Sequence, residues 1–359
     1  MKVVFTIQGE GRGHLMQAIA MKRLLENRGD EVIKILIGKS ASRVIPSFFE
    51  ERIGMSYITF NSPNFVPSPK GKRVDLFRSI GVNLLHITSY IDTLQTVRHE
   101  INEADADLVI NFYDVIVGCL YLFDPPRTPM VAIANQYMYL HRQFHARNPL
   151  SIEFRMLNFF SRLTSFGAVR RIALSFYPIG GDASQRISVV PPLLRQEVLN
   201  ATPTKGDYLH GYLLNHGFSE DIIAWQHDNP EQSLHFFWDK KGAKTTEQIN
   251  DHLTFHTLDD TKFLEMMKGC KGYATTAGFE SICEAFYLQK PVMMVPVHIE
   301  QECNAHDAAQ AGAGIFATSF DLSQLLNFIP NYTPNQWFRA WVEEAYDRIG
   351  RILDEAVNI

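Results

Sequence analysis

Cysteine is scarce in this chain and badly placed for pairing. Its four residues, Cys119, Cys270, Cys283 and Cys303, form no CxxC unit, so neither a disulfide framework nor a thiolate zinc site is indicated. No uncharged apolar run reaches about 18 residues, and no basic-then-apolar leader precedes the first strand. A cytoplasmic protein is therefore expected. A basic excess is also missing: 34 Lys and Arg stand against 39 Asp and Glu, a net charge of −5. General nucleic-acid binding through a basic surface is excluded on that balance. Internal repeats and low-complexity tracts are absent too. What is present is the ordinary composition of a globular enzyme, 46% hydrophobic and 20% charged over 359 residues, enough for about two cores.

The first apolar run, Val3–Ile7, ends in Gln8-Gly9-Glu10-Gly11-Arg12-Gly13-His14. Leu15, Ala18, Ile19, Met21, Leu24 and Leu25 then recur at helical spacing. This predicts strand, glycine loop, helix. A second strand over Glu31–Ile37 and a helix over Ser42–Glu51 follow, and alternation of this kind implies a parallel sheet. Residues 61–75 are rich in Pro, Gly and polar groups and predict a long loop before a helix at about 76–102. Leu108–Ile110 and Pro129–Ala134 are buried strands that run into Asn111-Phe112-Tyr113-Asp114 and Asn135-Gln136, at the ends where open α/β sheets place ligands.

Between His141 and Arg171 six arginines face one acid, Glu153, interleaved with phenylalanines and leucines. Two readings stand: a basic amphipathic helix meeting an anionic surface, or a helix with a solvated basic face on its own core. Ser184–Asp207, with Pro191, Pro192 and Pro203, reads as an interdomain linker. The alternation restarts with strands at Tyr208–Leu214, Ser233–Phe237, Leu253–His256, Gly272–Thr275, Pro291–Val295 and Gly314–Ala317. Helices fill most of the gaps, and an amphipathic stretch from Pro334 has no following strand.

The densest chemistry lies in Thr275-Thr276-Ala277-Gly278-Phe279-Glu280-Ser281-Ile282-Cys283-Glu284, with Glu300-Gln301-Glu302-Cys303-Asn304-Ala305 after the next strand. A strand ending in small residues, a glycine and an open helix start attracts phosphate through backbone N–H groups and the helix dipole; a plain strand–helix turn is the alternative. In the N-terminal half Gly9-Glu10-Gly11-Arg12-Gly13 is not spaced GxGxxG, and the second strand ends Ile35-Leu36-Ile37-Gly38 without a ribose-binding acid, which argues against a dinucleotide site. Asp105-Ala106-Asp107 precedes a strand instead of following one, unlike the metal-binding DxD of GT-A enzymes.

Together these features resemble the GT-B glycosyltransferases that use nucleotide sugars, nearest the branch of the peptidoglycan N-acetylglucosaminyltransferase and the UDP-glucuronosyltransferase-like enzymes. The resemblance covers most of the chain, from Gly13-His14 to the array Gly278, Glu284, Glu300, Gln301, Asn304 and Ala305. It implies two Rossmann-like parallel-sheet domains facing a cleft. The expected acceptor domain is 1–183 and the donor domain 208–333, with 184–207 as linker and the 334–359 helix crossing back to the first domain. Gly278, Phe279, Glu280 and Ser281 would seat the donor diphosphate. Glu284 would take the two ribose hydroxyls, since a carboxylate offers two acceptors to a vicinal diol. Glu300 and Gln301 would read the sugar, with helix capping as their alternative role. Thr257 and Leu258 would frame the uracil ring. Thr276 stands where many relatives carry a histidine. Gly11, Arg12 and Gly13 would form the acceptor-side loop.

His14 matches the general base of inverting relatives, suited by an ordinary imidazole pKa of about 6.5. Asn111 occupies the place of the aspartate that orients such a base, with Asp114 as the alternative carboxylate. The function implied is metal-independent, inverting transfer from a nucleotide sugar, with UDP the expected nucleotide, to a hydroxyl acceptor. The sugar nucleotide is a substrate, and no cofactor or nucleic-acid partner is implied. A lipid-linked or anionic acceptor met at the inner face of the membrane is expected from the 61–75 loop and the arginine-rich segment. The alternatives are an epimerase or hydrolase of the nucleotide sugar, or a non-catalytic binding protein.

Overall fold

A computed structural model describes residues 1–63, 87–214, 216–240 and 242–358. Most of the 61–75 loop and the first part of the helix expected at 76–102 lie outside them. The chain divides into two compact units. The first runs to Arg195 and takes in the chain again from Trp341, while the second runs from Gln196 to Ala340.

In the first unit seven parallel strands are ordered β3-β2-β1-β4-β5-β6-β7. They are β1 (Lys2–Gln8), β2 (Glu31–Lys39), β3 (Ile58–Asn61), β4 (Leu108–Phe112), β5 (Met130–Ala134), β6 (Arg170–Leu174) and β7 (Ile187–Val190). Val3, Val4, Phe5 and Ile7 of β1 are all fully buried, as is the whole of β4. Such continuous apolar runs belong to parallel strands covered on both faces. The Arg12–Arg28 helix ends at Gly29, whose φ of 81° supplies the left-handed cap.

Two stretches depart from the sequence reading. The segment 184–207 contains β7, paired in parallel with β6 (Ile172↔Ser188, Leu174↔Val190), so Pro191 and Pro192 follow a strand of the first sheet instead of opening a linker. The arginine-rich stretch 141–171 splits into the Ile152–Thr164 helix, begun by Ser151 Oγ accepting from the Phe154 N–H at 3.1 Å, and the start of β6.

The terminal helix, Ala345–Val357, packs on the first unit through buried Ile349, Leu353 and Ala356. Trp341 Nε1 donates to the Ser175 carbonyl at 3.0 Å, and Arg28 donates to Asp354 at 2.6 Å. The return of the C-terminus to the first domain is thus a feature of the fold.

The second unit has seven strands in the order β10-β11-β9-β8-β12-β13-β14. They are β8 (Tyr208–Leu213), β9 (Ser233–Trp238), β10 (Thr246–Asn250), β11 (Leu253–Thr257), β12 (Gly272–Thr275), β13 (Val292–Met294) and β14 (Gly314–Phe316). All pairs are parallel except β10 with β11. The edge strand β10, with the polar sequence Thr-Glu-Gln-Ile-Asn, carries no apolar alternation that would announce it. Leu209, Leu234, Phe236, Leu253, Phe255, Ala274 and Met293 build the core of this unit. Among the parallel strands of each sheet the order reverses once, between β1 and β4 and between β8 and β12. Open α/β sheets hold ligands beyond the carboxyl ends of strands at such switch points.

Candidate functional site

At the first switch point β1 leads through Gly9 into the Arg12–Arg28 helix. The Gly9 N–H donates to the Gly38 carbonyl at 2.7 Å, and a Cβ on Gly9 would stand 2.7 Å from Ile37 Cγ2. Here the glycine serves close packing of the loop on β2. The helix start at Gly11 has no side-chain cap, and the Arg12 guanidinium lies 4.2 Å from the centroid of the Phe48 ring.

His14 sits in the first turn, buried to 8% exposure. Its Nδ1 is 3.3 Å from Gln17 Oε1, and its ring stacks on Tyr113 with centroids 5.3 Å apart and planes at 22°. Burial, partly offset by the Gln17 bond, lowers its pKa to about 4, so the ring is a neutral imidazole at pH 7.

Tyr113 follows β4 with φ at 64°, a left-handed conformation that non-glycine residues adopt rarely and mostly at functional or tightly determined turns. Its hydroxyl is 2.7 Å from Ser161 Oγ, which anchors the ring behind His14.

Asn111 and Asp114 spend their polar atoms on the turn and on the elements packed against it. Asn111 Oδ1 accepts from Thr6 Oγ1 (2.9 Å) and the Asp114 N–H (3.1 Å), while its Nδ2 donates to the carbonyls of Asp114 (3.0 Å) and Thr164 (2.8 Å). Asp114 caps the Val115–Phe123 helix, accepting from the Val117 N–H, and its Oδ2 accepts from Ser62 Oγ at 2.8 Å. Complete burial raises the Asp114 pKa to about 6 against the lowering effect of these bonds. The side chain that meets His14 Nδ1 is Gln17. An i, i+3 spacing on the helix is the signal that could have found it. Tyr113 has no comparable mark in the sequence.

At the second switch point β12 ends in Thr275-Thr276-Ala277-Gly278, and the Phe279–Tyr287 helix begins with Gly278 as an N-cap lacking any side-chain cap. Its first-turn N–H groups are in the arrangement that receives anions at helix starts. A Cβ on Gly278 would find only Ser281 Oγ within reach, at 3.7 Å, so the space before the helix is open. Ala277 has a φ of 66°, and its carbonyl accepts from Asn304 Nδ2 at 3.2 Å. This joins the turn to the Ile299–Gln310 helix.

Ser281 Oγ donates to the Gly278 carbonyl at 3.2 Å. Thr276 is buried, and its hydroxyl has no hydrogen-bond partner. Phe279 packs inward, Glu280 is half-buried, and Glu284 lies within the same helix, 7% exposed. Gln301 is buried, and its Oε1 accepts from the Val297 N–H at 3.0 Å, while Glu300 beside it is half-buried. His298, at the head of that helix, is lowered to about 4 by desolvation and is neutral. Gly278 and Ser281 share the turn that Asn304 ties to the Ile299–Gln310 helix, and Glu284 follows further along the same Phe279–Tyr287 helix. Thr257 and Leu258 lie at the end of β11, which β9 and β8 separate from β12 in the sheet.

Two parallel-sheet units of this topology are the GT-B glycosyltransferase fold. Residues 1–332 match the model of glycosyl transferase family 1, and the chain belongs to that family and is a glycosyltransferase. Among solved structures, the spinosyn forosaminyltransferase SpnP is similar over 100% of both chains, at 14% identity and a TM-score of 0.61. LpCGTa in complex with UDP is similar over 99% of this chain and 98% of its own, at 12% and 0.62. UGT89C1 of Arabidopsis thaliana, complexed with quercetin, is similar over 99% of each chain, at 10% and 0.62. No curated protein sequence matches the chain.

Proposed function

We propose that the protein transfers a sugar from a UDP-linked donor to a hydroxyl acceptor with inversion and without a metal. The observation that carries this is the uncapped helix start at Gly278, pinned through Asn304 to Ala277, with Glu284 buried in the same helix. Diphosphate oxygens would receive the N–H groups of that first turn, and Glu284 would accept the two ribose hydroxyls. The UDP in the similar LpCGTa supports the choice of nucleotide. In the acceptor half, neutral His14 would take the hydroxyl proton on Nε2 as the acceptor oxygen attacks the anomeric carbon. The bond from that carbon to the diphosphate oxygen breaks, and its electron pair leaves on the phosphate facing the helix start. Membership of a transferase family favours this reading over epimerisation, hydrolysis or simple binding.

A thermal-shift screen of UDP, ADP, GDP and TDP tests the donor, because a ligand of the native state raises apparent stability. A rise with UDP above the others is expected, and no rise with UDP overturns the nucleotide assignment. His14→Ala should leave the UDP shift intact while abolishing transfer.

The acceptor side has one further support. Ile152, Arg155, Phe159 and Arg162 follow helical spacing and all are exposed, with Leu150 at 85% and Phe159 at 68%. Apolar and basic groups on one stripe suit an anionic membrane surface. Among the described residues no helix is long and apolar enough to cross a membrane, so the contact proposed is peripheral, in the cytoplasm, toward a lipid-linked acceptor of cell-envelope glycan. Such an acceptor would suit the peptidoglycan branch that the sequence resembles. Sedimentation with phosphatidylglycerol vesicles at low salt should retain the protein, and Phe159→Asp should release it. Absence of binding by the native chain contradicts the membrane reading.

A further inference from the structure

His14 is held by two groups that no general reading of its role assigns: Gln17 in the ring plane at Nδ1 and Tyr113 against the ring face. We infer that Gln17 is a positioning residue that fixes the tautomer of His14, its Oε1 accepting from Nδ1–H so that Nε2 keeps a lone pair, while Tyr113 sets the ring's tilt. The inference rests on the reading of His14 as the base, but the tautomer itself can be measured without that reading.

The geometry leaves little else to do this work. Asn111 makes four hydrogen bonds, two within its own turn and two to Thr6 and Thr164, and the Asp114 carboxylate is taken by Ser62 and the helix it caps. An amide oxygen can only accept, and a neutral imidazole offers one N–H. Gln17 Oε1 faces Nδ1 at 3.3 Å, and in that amide orientation the contact is a hydrogen bond only with the proton on Nδ1. Tyr113 cannot follow the ring if it turns, because its φ of 64° and its hydroxyl at 2.7 Å from Ser161 hold it in place.

The neutral partner has a consequence. A carboxylate at Nδ1 would stabilise the imidazolium formed on proton abstraction, whereas an amide orients the ring without adding charge. The other charged and titratable groups of the two turns are engaged elsewhere: Arg12 over Phe48, Glu10 with the Ser40 N–H, Asp114 with Ser62, and the Tyr113 hydroxyl with Ser161. The pKa of about 4 for His14, set by burial, agrees with a ring that lacks a counter-charge.

Nitrogen NMR of the native protein with ¹⁵N-labelled histidine tests this directly. At pH 7 the His14 signals, assigned by their loss in His14→Ala, should show a protonated Nδ1 and an unprotonated Nε2. In Gln17→Leu the two tautomers should mix. In Gln17→Glu the Nδ1–H form should persist and the ring should titrate one or more pH units higher, the usual effect of an opposite charge at this range. UDP affinity should not change in either variant. A native ring protonated on Nε2, or a Gln17→Leu protein with an unchanged tautomer, overturns the inference. If instead His14→Ala still transfers sugar while the native tautomer is as stated, the base assignment fails and the positioning of the ring stands.

Discussion

Asn304 Nδ2 donates to the carbonyl of Ala277 at 3.2 Å, across 27 positions of sequence, and both groups are buried. Ala277 is the residue whose φ of 66° turns β12 into the helix that starts at Gly278. The bond holds a backbone conformation that is unfavourable for an L-residue at the place where the donor phosphates would sit.

Asn304→Ala leaves that buried carbonyl without its amide partner. A loss of about 1–3 kcal/mol is expected in chemical denaturation, the cost of an unsatisfied buried polar group. UDP affinity should fall as well, since the first turn is no longer held in place. Calorimetric titration measures the second effect separately.

Gly38 and Gly11 should respond oppositely to alanine. A Cβ on Gly38 would stand 2.0 Å from Asp114 Oδ2 and 2.8 Å from Ser62 Cβ, whereas one on Gly11 would meet nothing closer than Gln8 Oε1 at 4.0 Å. Gly38→Ala should cost about 3 kcal/mol or more by overpacking. Gly11→Ala should stay within about 0.5 kcal/mol. Paired urea melts of the two variants check the contrast.

Two buried groups give stability opposite dependences on pH. His14 has a folded pKa of about 4, below its ordinary 6.5, so the unfolded chain binds the extra proton between those values. Stability from this group is complete above pH 6.5 and is lost as pH falls toward 4, by about 3 kcal/mol at most. Asp114 has a folded pKa of about 6 against an ordinary 3.8. There the folded chain binds the extra proton, and stability falls as pH rises from 3.8 to 6. Asp114→Asn keeps an acceptor for the Val117 N–H and removes the buried charge. Its stability relative to the native protein should therefore rise between pH 4 and 6 and level off above. A flat difference across that range would mean that Asp114 is not desolvated in solution.

The parallel alternation and the glycine turns were legible in the sequence, because apolar runs and helix starts are local signals. The strand Ile187–Val190 was not. Two prolines immediately after it resemble a linker, and only pairing with Arg170–Leu174 makes it part of the sheet. The edge strand Thr246–Asn250 was hidden because an exposed edge needs no apolar alternation. The sequence points for the partner of His14 to the end of the later strand, at Asn111 and Asp114, whereas Gln17 lies one turn away on the same helix. Tyr113 could not have been found, since a left-handed φ at a tyrosine leaves no trace in composition.

Calorimetric titration of UDP into the native protein and into Glu284→Ala tests the donor site most directly. Loss of two hydroxyl contacts to a carboxylate should weaken binding about 100-fold, each charged hydrogen bond contributing about 1.5 kcal/mol or more. Circular dichroism serves to confirm that the variant is folded. An unchanged UDP affinity in folded Glu284→Ala would contradict the assignment of the Gly278–Glu284 helix as the seat of the nucleotide.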